Sequence, residues 1–122
     1  MAWEVEYTEQ FLAWWDELTE PERIAITAAV ALLQEKGPAL TRPYVDTLSK
    51  DSQYPNMKEL RLQHAGRPYR IMFAFDPRQS VILLIGGVKS GKGWTAKMVA
   101  AADKVYSQYL RELKKEGLIK NA

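Results

Sequence analysis

The chain has 122 residues, 47% of them hydrophobic and 26% charged, with a net charge of +2; that suits one domain with its own core and excludes a disordered polyelectrolyte. It has no cysteine and one histidine, His64, which excludes a disulfide framework, a thiolate nucleophile and a zinc knuckle, and leaves no dedicated metal site expected. No stretch approaches the roughly 18 apolar residues of a membrane span, and the first residues lack the pattern of a secretion signal, so a cytoplasmic protein without a membrane partner is expected. The charge is uneven: the first 22 residues hold seven acids and no base, whereas Lys58 to Lys97 hold eight bases against two acids, an excess of six. Such a dipolar chain can orient on a polyanion.

Trp3, Val5 and Tyr7 alternate with Glu4 and Glu6, the pattern of a short half-buried strand. Phe11, Trp14, Trp15 and Leu18 then recur at helical spacing. Thr19-Glu-Pro-Glu22 reads as a capping box that opens a second helix, with Ile26, Val30 and Leu33 along one face and a stop at Gly37-Pro38. Residues 38 to 56, with three prolines, read as an irregular connection pinned by Leu40, Tyr44, Val45 and Leu48. Three strands follow as a meander: 57–64, 69–75 and 80–85, one face buried and the other presenting arginine or lysine. Trp94, Met98, Ala102, Val105, Tyr109 and Leu113 mark a closing amphipathic helix that ends at Gly117. The expected fold is α+β: an N-terminal strand and helical hairpin on a small antiparallel sheet, closed by a C-terminal helix, as a single domain over 1–122.

If Ala65-Gly66 is a two-residue hairpin turn, paired residues have numbers summing to 131. Leu62 then faces Tyr69 and Leu60 faces Ile71, while Arg61 lies across from Arg70 with Glu59 one pleat away on the same side. Like charges directly opposite destabilise a sheet unless an anion, a carboxylate or open solvent relieves them. The pair can therefore grip one phosphodiester, with Glu59 accepting a proton, or stand as two solvated arginines with Glu59 as counter-ion.

Gly86-Gly-Val-Lys-Ser-Gly91-Lys92 satisfies the G-x-x-x-x-G-K pattern of a nucleotide loop. Gly93, however, stands where Ser or Thr would hold magnesium, no later strand can supply a metal ligand, and hairpin-linked strands are the wrong topology. No nucleotide cofactor is expected; the glycines are read as letting a basic loop, with Lys89 and Lys92, approach a phosphate backbone. His64 at the hairpin tip is an exposed residue or a general acid, and Trp94 a core residue or a base-stacking one.

The acidic two-helix start, Arg42-Pro43 after the Gly37-Pro38 stop, Lys58-Glu-Leu-Arg61, Tyr69-Arg-Ile-Met-Phe-Ala-Phe75, Leu84-Ile-Gly-Gly-Val-Lys89 and the closing helix together resemble the RelE/HigB superfamily of toxins from type II toxin–antitoxin systems, in particular its phage-associated HigB-like branch. The resemblance implies a ribosome-dependent mRNA endonuclease that needs no cofactor, in which the 2′-hydroxyl attacks the adjacent phosphate, and a cognate antitoxin as partner beside ribosome and mRNA. By matching strand positions, Arg70 stands for the phosphate-stabilising arginine, and Arg61 and Glu59 for the basic or acidic residues of the strand before it. Lys58, Arg67, Lys89, Lys92 and Trp94 are the expected RNA contacts. The chain lacks the histidine or tyrosine that many relatives carry just after the last strand as a proton donor. A ParE-like gyrase inhibitor, or an inactive RNA-binding module of the same fold, is the rival reading.

Overall fold

Two threonines start the N-terminal helices in the same way. The computed structural model describes residues 2–48 and 50–120; the expected domain over 1–122 and the connection over 38–56 include positions outside them. Thr8 caps α1 (Glu9–Asp16), its hydroxyl accepting the Phe11 amide at 3.0 Å and donating to the Leu84 carbonyl at 2.6 Å. Thr19 caps α2 (Glu20–Lys36) through the expected capping box with Glu22, and Gly37 ends that helix. Both caps satisfy amides that the first turn leaves without partners.

The sheet has five strands in the order β1-β5-β4-β3-β2: β1 Val5–Tyr7, β2 Val45–Thr47, β3 Lys58–His64, β4 Arg67–Phe75 and β5 Val81–Val88. The N-terminal strand joins it parallel to β5, and the other pairings are antiparallel. Part of the connection expected to be irregular is thus the edge strand β2. Three residues hidden among prolines give too short a pattern to read.

Helices cover both sides of the sheet. Leu60, Tyr69, Ile71, Phe73, Val81 and Leu83 pack under α1 and α2 with Phe11, Ile26 and Leu33. Met72, Ala74, Ile82 and Leu84 pack under α3 (Trp94–Lys115) with Val99, Ala102 and Tyr106. The second face is therefore not the open cationic surface expected from the sequence; most of it is buried, and only its end beyond Met72 stays polar. An irregularity in register at Met72/Phe73 lets Leu84 and Ile85 both face α3. Each large side chain so buried contributes roughly 1.5–3 kcal/mol.

Gly86 and Gly87 lie inside β5. A Cβ on Gly86 would sit 2.2 Å from the Trp14 ring, and one on Gly87 would sit 2.9 Å from the Trp94 ring on the other side. The two glycines make room for a tryptophan on each face. This replaces their expected role in a loop that follows a phosphate backbone. No described helix is long and apolar enough to cross a membrane.

Candidate active site

The β3–β4 hairpin has the expected register, Arg61 opposite Arg70 and Leu62 opposite Tyr69. Its turn is the tight two-residue kind, with φ of 51° at Ala65 and 75° at Gly66. The Arg61 amide donates to the Tyr44 carbonyl at 2.8 Å, so Arg61 bonds outward. It therefore forms a non-hydrogen-bonded pair with Arg70, the kind that brings side chains closest. Gln63 falls in the same phase, so Pro68 opposite it loses no ladder bond to β3.

Glu59 relieves the clash. Its Oε1 lies 3.0 Å from Arg70 Nε and 3.7 Å from Arg61 Nε. The Glu59 and Arg70 side chains are 8% and 7% exposed, against 34% for Arg61. Arg70 Nη1 donates to its neighbour's carbonyl on Tyr69 at 3.0 Å, while its Nε, though within ion-pair distance of Glu59, makes no hydrogen bond. Burial, and then the charge of Arg61, pull the Arg70 pKa below its ordinary value, with Glu59 opposing them. The guanidinium nonetheless stays charged at neutral pH.

Two residues that the sequence reading did not assign to the site extend this line. Asp46 of β2 pairs with Glu59, and Arg42 holds its carboxylate through two hydrogen bonds of 3.2 and 3.0 Å. The Arg42 hydrogen bond, with Arg61 as the smallest contributor, lowers the Asp46 pKa. From the β2 edge inward, charges alternate through Arg42, Asp46, Arg61, Glu59 and Arg70. Trp94 comes next, over Gly87, the β5 partner of Arg70.

The other residues singled out in the sequence are dispersed. Lys58 falls on the opposite face of β3 from Glu59 and Arg61, and its Nζ donates to Thr47 Oγ1 at 3.0 Å. Arg67 lies over the Tyr69 ring, also on the α1/α2 side, and His64 stands edge-on to that ring. Lys89 and Lys92 are exposed in the turn after β5. Arg78 sits at the far end of the sheet, tied to Asp76, Glu6 and Tyr109. Six excess positive charges along the sequence thus do not make one cationic surface.

Residues 13–107 match the family described as phage derived protein Gp49-like (DUF891). Two proteins of Mycobacterium tuberculosis named as toxins are similar along most of the chain. HigB3 is 42% identical over 99 residues, covering 80% of this chain and 84% of that protein. The chain belongs to the Gp49-like family, within the RelE/HigB superfamily of toxins. HigB2 is 39% identical over 107 residues, 85% of this chain, which spans about half (53%) of that longer protein. Among solved structures, a double-arginine mutant of the E. coli toxin RelE in the free state superposes with a TM-score of 0.51. At 17% identity, over 93% of this chain and 99% of that one, the likeness is one of fold. In this chain, Glu59, Arg61 and Arg70 bring a carboxylate and two guanidinium groups together at the end of the α3 face.

Proposed function

We propose that this Gp49-like protein is the toxin of a toxin–antitoxin pair and acts in the cytoplasm as an endoribonuclease on ribosome-bound mRNA. The observation that carries this reading is the Glu59 carboxylate held between the guanidinium groups of Arg70 and Arg61 at the open end of the α3 face. Arg61, the more exposed of the two, presents its charge to a non-bridging phosphate oxygen and stabilises the negative charge that grows there in the transition state. Arg70 orients Glu59 and adds positive potential from beneath. Glu59 accepts the 2′-hydroxyl proton as the 2′-oxygen bonds to phosphorus and the 5′-oxygen departs. The products are a 2′,3′-cyclic phosphate and a 5′-hydroxyl.

His64 lies across the sheet from these groups, so the proton that returns to the 5′-oxygen comes from solvent or the ribosome. Lys89, Lys92 and Trp94, at the β5–α3 end, serve as RNA contacts: the lysines neutralise phosphate, and the indole offers a flat edge. The antitoxin restores growth by covering or displacing this end of the sheet. Primer extension on mRNA from cells expressing the chain alone, wild type against Arg61→Ala, tests the reading. New 5′-hydroxyl ends that vanish in the variant are expected. Intact transcripts in cells arrested by the wild type, with DNA supercoiling lost, would replace it with the gyrase reading.

A further inference from the structure

The short edge strand leaves a second recess beside the arginine pair. β2 pairs only with Lys58 to Leu60, and the Tyr44 carbonyl takes one further amide, that of Arg61. Beyond that point the outer edge of β3 is uncovered. A cleft of about 550 Å³ opens there, walled by Ala28, Ala29 and Leu32 of α2 and by Pro43 and Tyr44. Leu60, Arg61, Leu62 and Gln63 all line it, although successive strand residues face opposite ways, because the cleft wraps round the strand's edge. Arg70 also contributes to its wall.

The lining is mostly apolar and includes the residues Tyr44, Gln63, Arg61 and Arg70. This chemistry suits an unstacked nucleobase whose own phosphate is held by the Arg61 guanidinium. Tyr44 is 49% exposed and supports no core cluster, so its ring is free to stack. Gln63 is exposed and offers both a donor and an acceptor to a base edge. We propose that this cleft is a nucleobase subsite, in which Tyr44 stacks on the base next to the phosphate held by Arg61 and Gln63 reads its edge. The inference rests on the RNA-cleavage reading for the identity of the ligand and adds to it a site that determines sequence preference.

The test uses single-stranded RNA heptamers carrying 2-aminopurine at each position in turn, with matched heptamers abasic at that position. The wild-type chain is compared with Tyr44→Ala and Ala28→Met; both positions are exposed, so neither change reaches the core. One 2-aminopurine position should be quenched by the wild type and not by Tyr44→Ala, and the abasic heptamer at that position should bind about tenfold more weakly. Ala28→Met, which narrows the cleft, should give the same loss on the intact heptamer. Equal fluorescence at every position, or unchanged binding by both variants, overturns the subsite. Variants that keep RNA affinity but lose a co-expressed antitoxin assign the cleft to a protein segment instead. Base-dependent binding without cleavage by the wild type would sink the nuclease reading alone. Cleavage indifferent to both variants, in rate and in codon preference, would sink the subsite alone.

Discussion

Glu59 Oε1 lies 3.0 Å from Arg70 Nε, and both side chains are more than nine-tenths covered. Two buried charges in contact stabilise a fold only as a pair, and removing one leaves the other without compensation. Glu59→Ala should therefore cost about 3 kcal/mol of unfolding free energy, read as a lower urea midpoint. A midpoint within error of the wild type would show that Arg70 finds water once Glu59 is gone. With the expected destabilisation, activity lost in Glu59→Ala has to be weighed against it, which makes the more exposed Arg61 the better probe of the chemistry.

Arg61 and Arg70 should separate stability from activity. Arg61 is about one-third exposed, and a surface charge of that kind contributes at most about 1 kcal/mol to stability. Arg61→Ala should keep the wild-type midpoint while mRNA cleavage falls about a hundredfold, the usual consequence of deleting one oxyanion-stabilising donor. Arg70→Ala should lose both. Equal cleavage by Arg61→Ala and wild type, in a reconstituted translation reaction, would remove Arg61 from the mechanism.

Gly86→Ala should be far more damaging than an ordinary glycine substitution in a strand, because its Cβ would fall 2.2 Å from the Trp14 ring. Overpacking of this kind costs about 1–3 kcal/mol. The double variant Gly86→Ala, Trp14→Leu should recover part of that loss relative to the sum of the two single changes, read in a thermodynamic cycle on urea melts. Strict additivity would mean that the ring moves aside freely.

Glu22 links the helical hairpin to the sheet: it completes the α2 capping box and accepts a hydrogen bond from the Tyr69 hydroxyl. That bond, with the Thr19 amide next, lowers the Glu22 pKa from 4.5 to about 2. Between those values the unfolded chain holds the extra proton, so stability should fall as the pH drops from 4.5 towards 2. The same bond raises the Tyr69 pKa above 10, so the folded form keeps its proton longer and stability should fall again above pH 10. Tyr69→Phe should flatten both limbs in a pH series of thermal melts. An unchanged acid limb would assign the lowered pKa to the helix cap alone.

Ala65 holds φ at +51° in the hairpin turn, where an L side chain other than Asn or Asp is strained. Ala65→Asn should therefore raise stability by about 1 kcal/mol without altering the site, since Asn-Gly is the preferred pair for this turn. Thermal melts would show it; a lower melting temperature would mean that the Ala65 methyl makes a contact worth more than the strain.

The hairpin register was legible because the two-residue Ala65-Gly66 turn fixes which residues pair, and that pairing unites Leu60, Leu62, Tyr69 and Ile71 on one side. The capping box and the Gly37 stop were equally plain. The second buried face was written in Ile71-Met-Phe-Ala-Phe75, a continuous apolar run where a strand wet on one side would alternate; that run, not the spacing of the bases, foretold α3 lying across the sheet. Charge counted along a chain ignores the pleat, which sends Lys58 and Arg67 to the opposite face from Arg61 and Arg70. Asp46 stayed hidden because a three-residue strand has no period to detect, and its pairing is fixed by β3 rather than by its own residues; Arg42 reaches the site only through Asp46.

The paired vacancies at positions 86 and 87 tie β5 to two distant residues through volume alone. Among relatives of this chain, bulk at 14 and 86, and at 94 and 87, should trade off: where an indole is replaced by something small, its opposite position becomes free to carry a side chain. A nucleotide-loop signature that comes and goes with the size of a tryptophan is a by-product of packing, and gains or losses of that string across the family would report on the interior of the sheet and nothing about ATP.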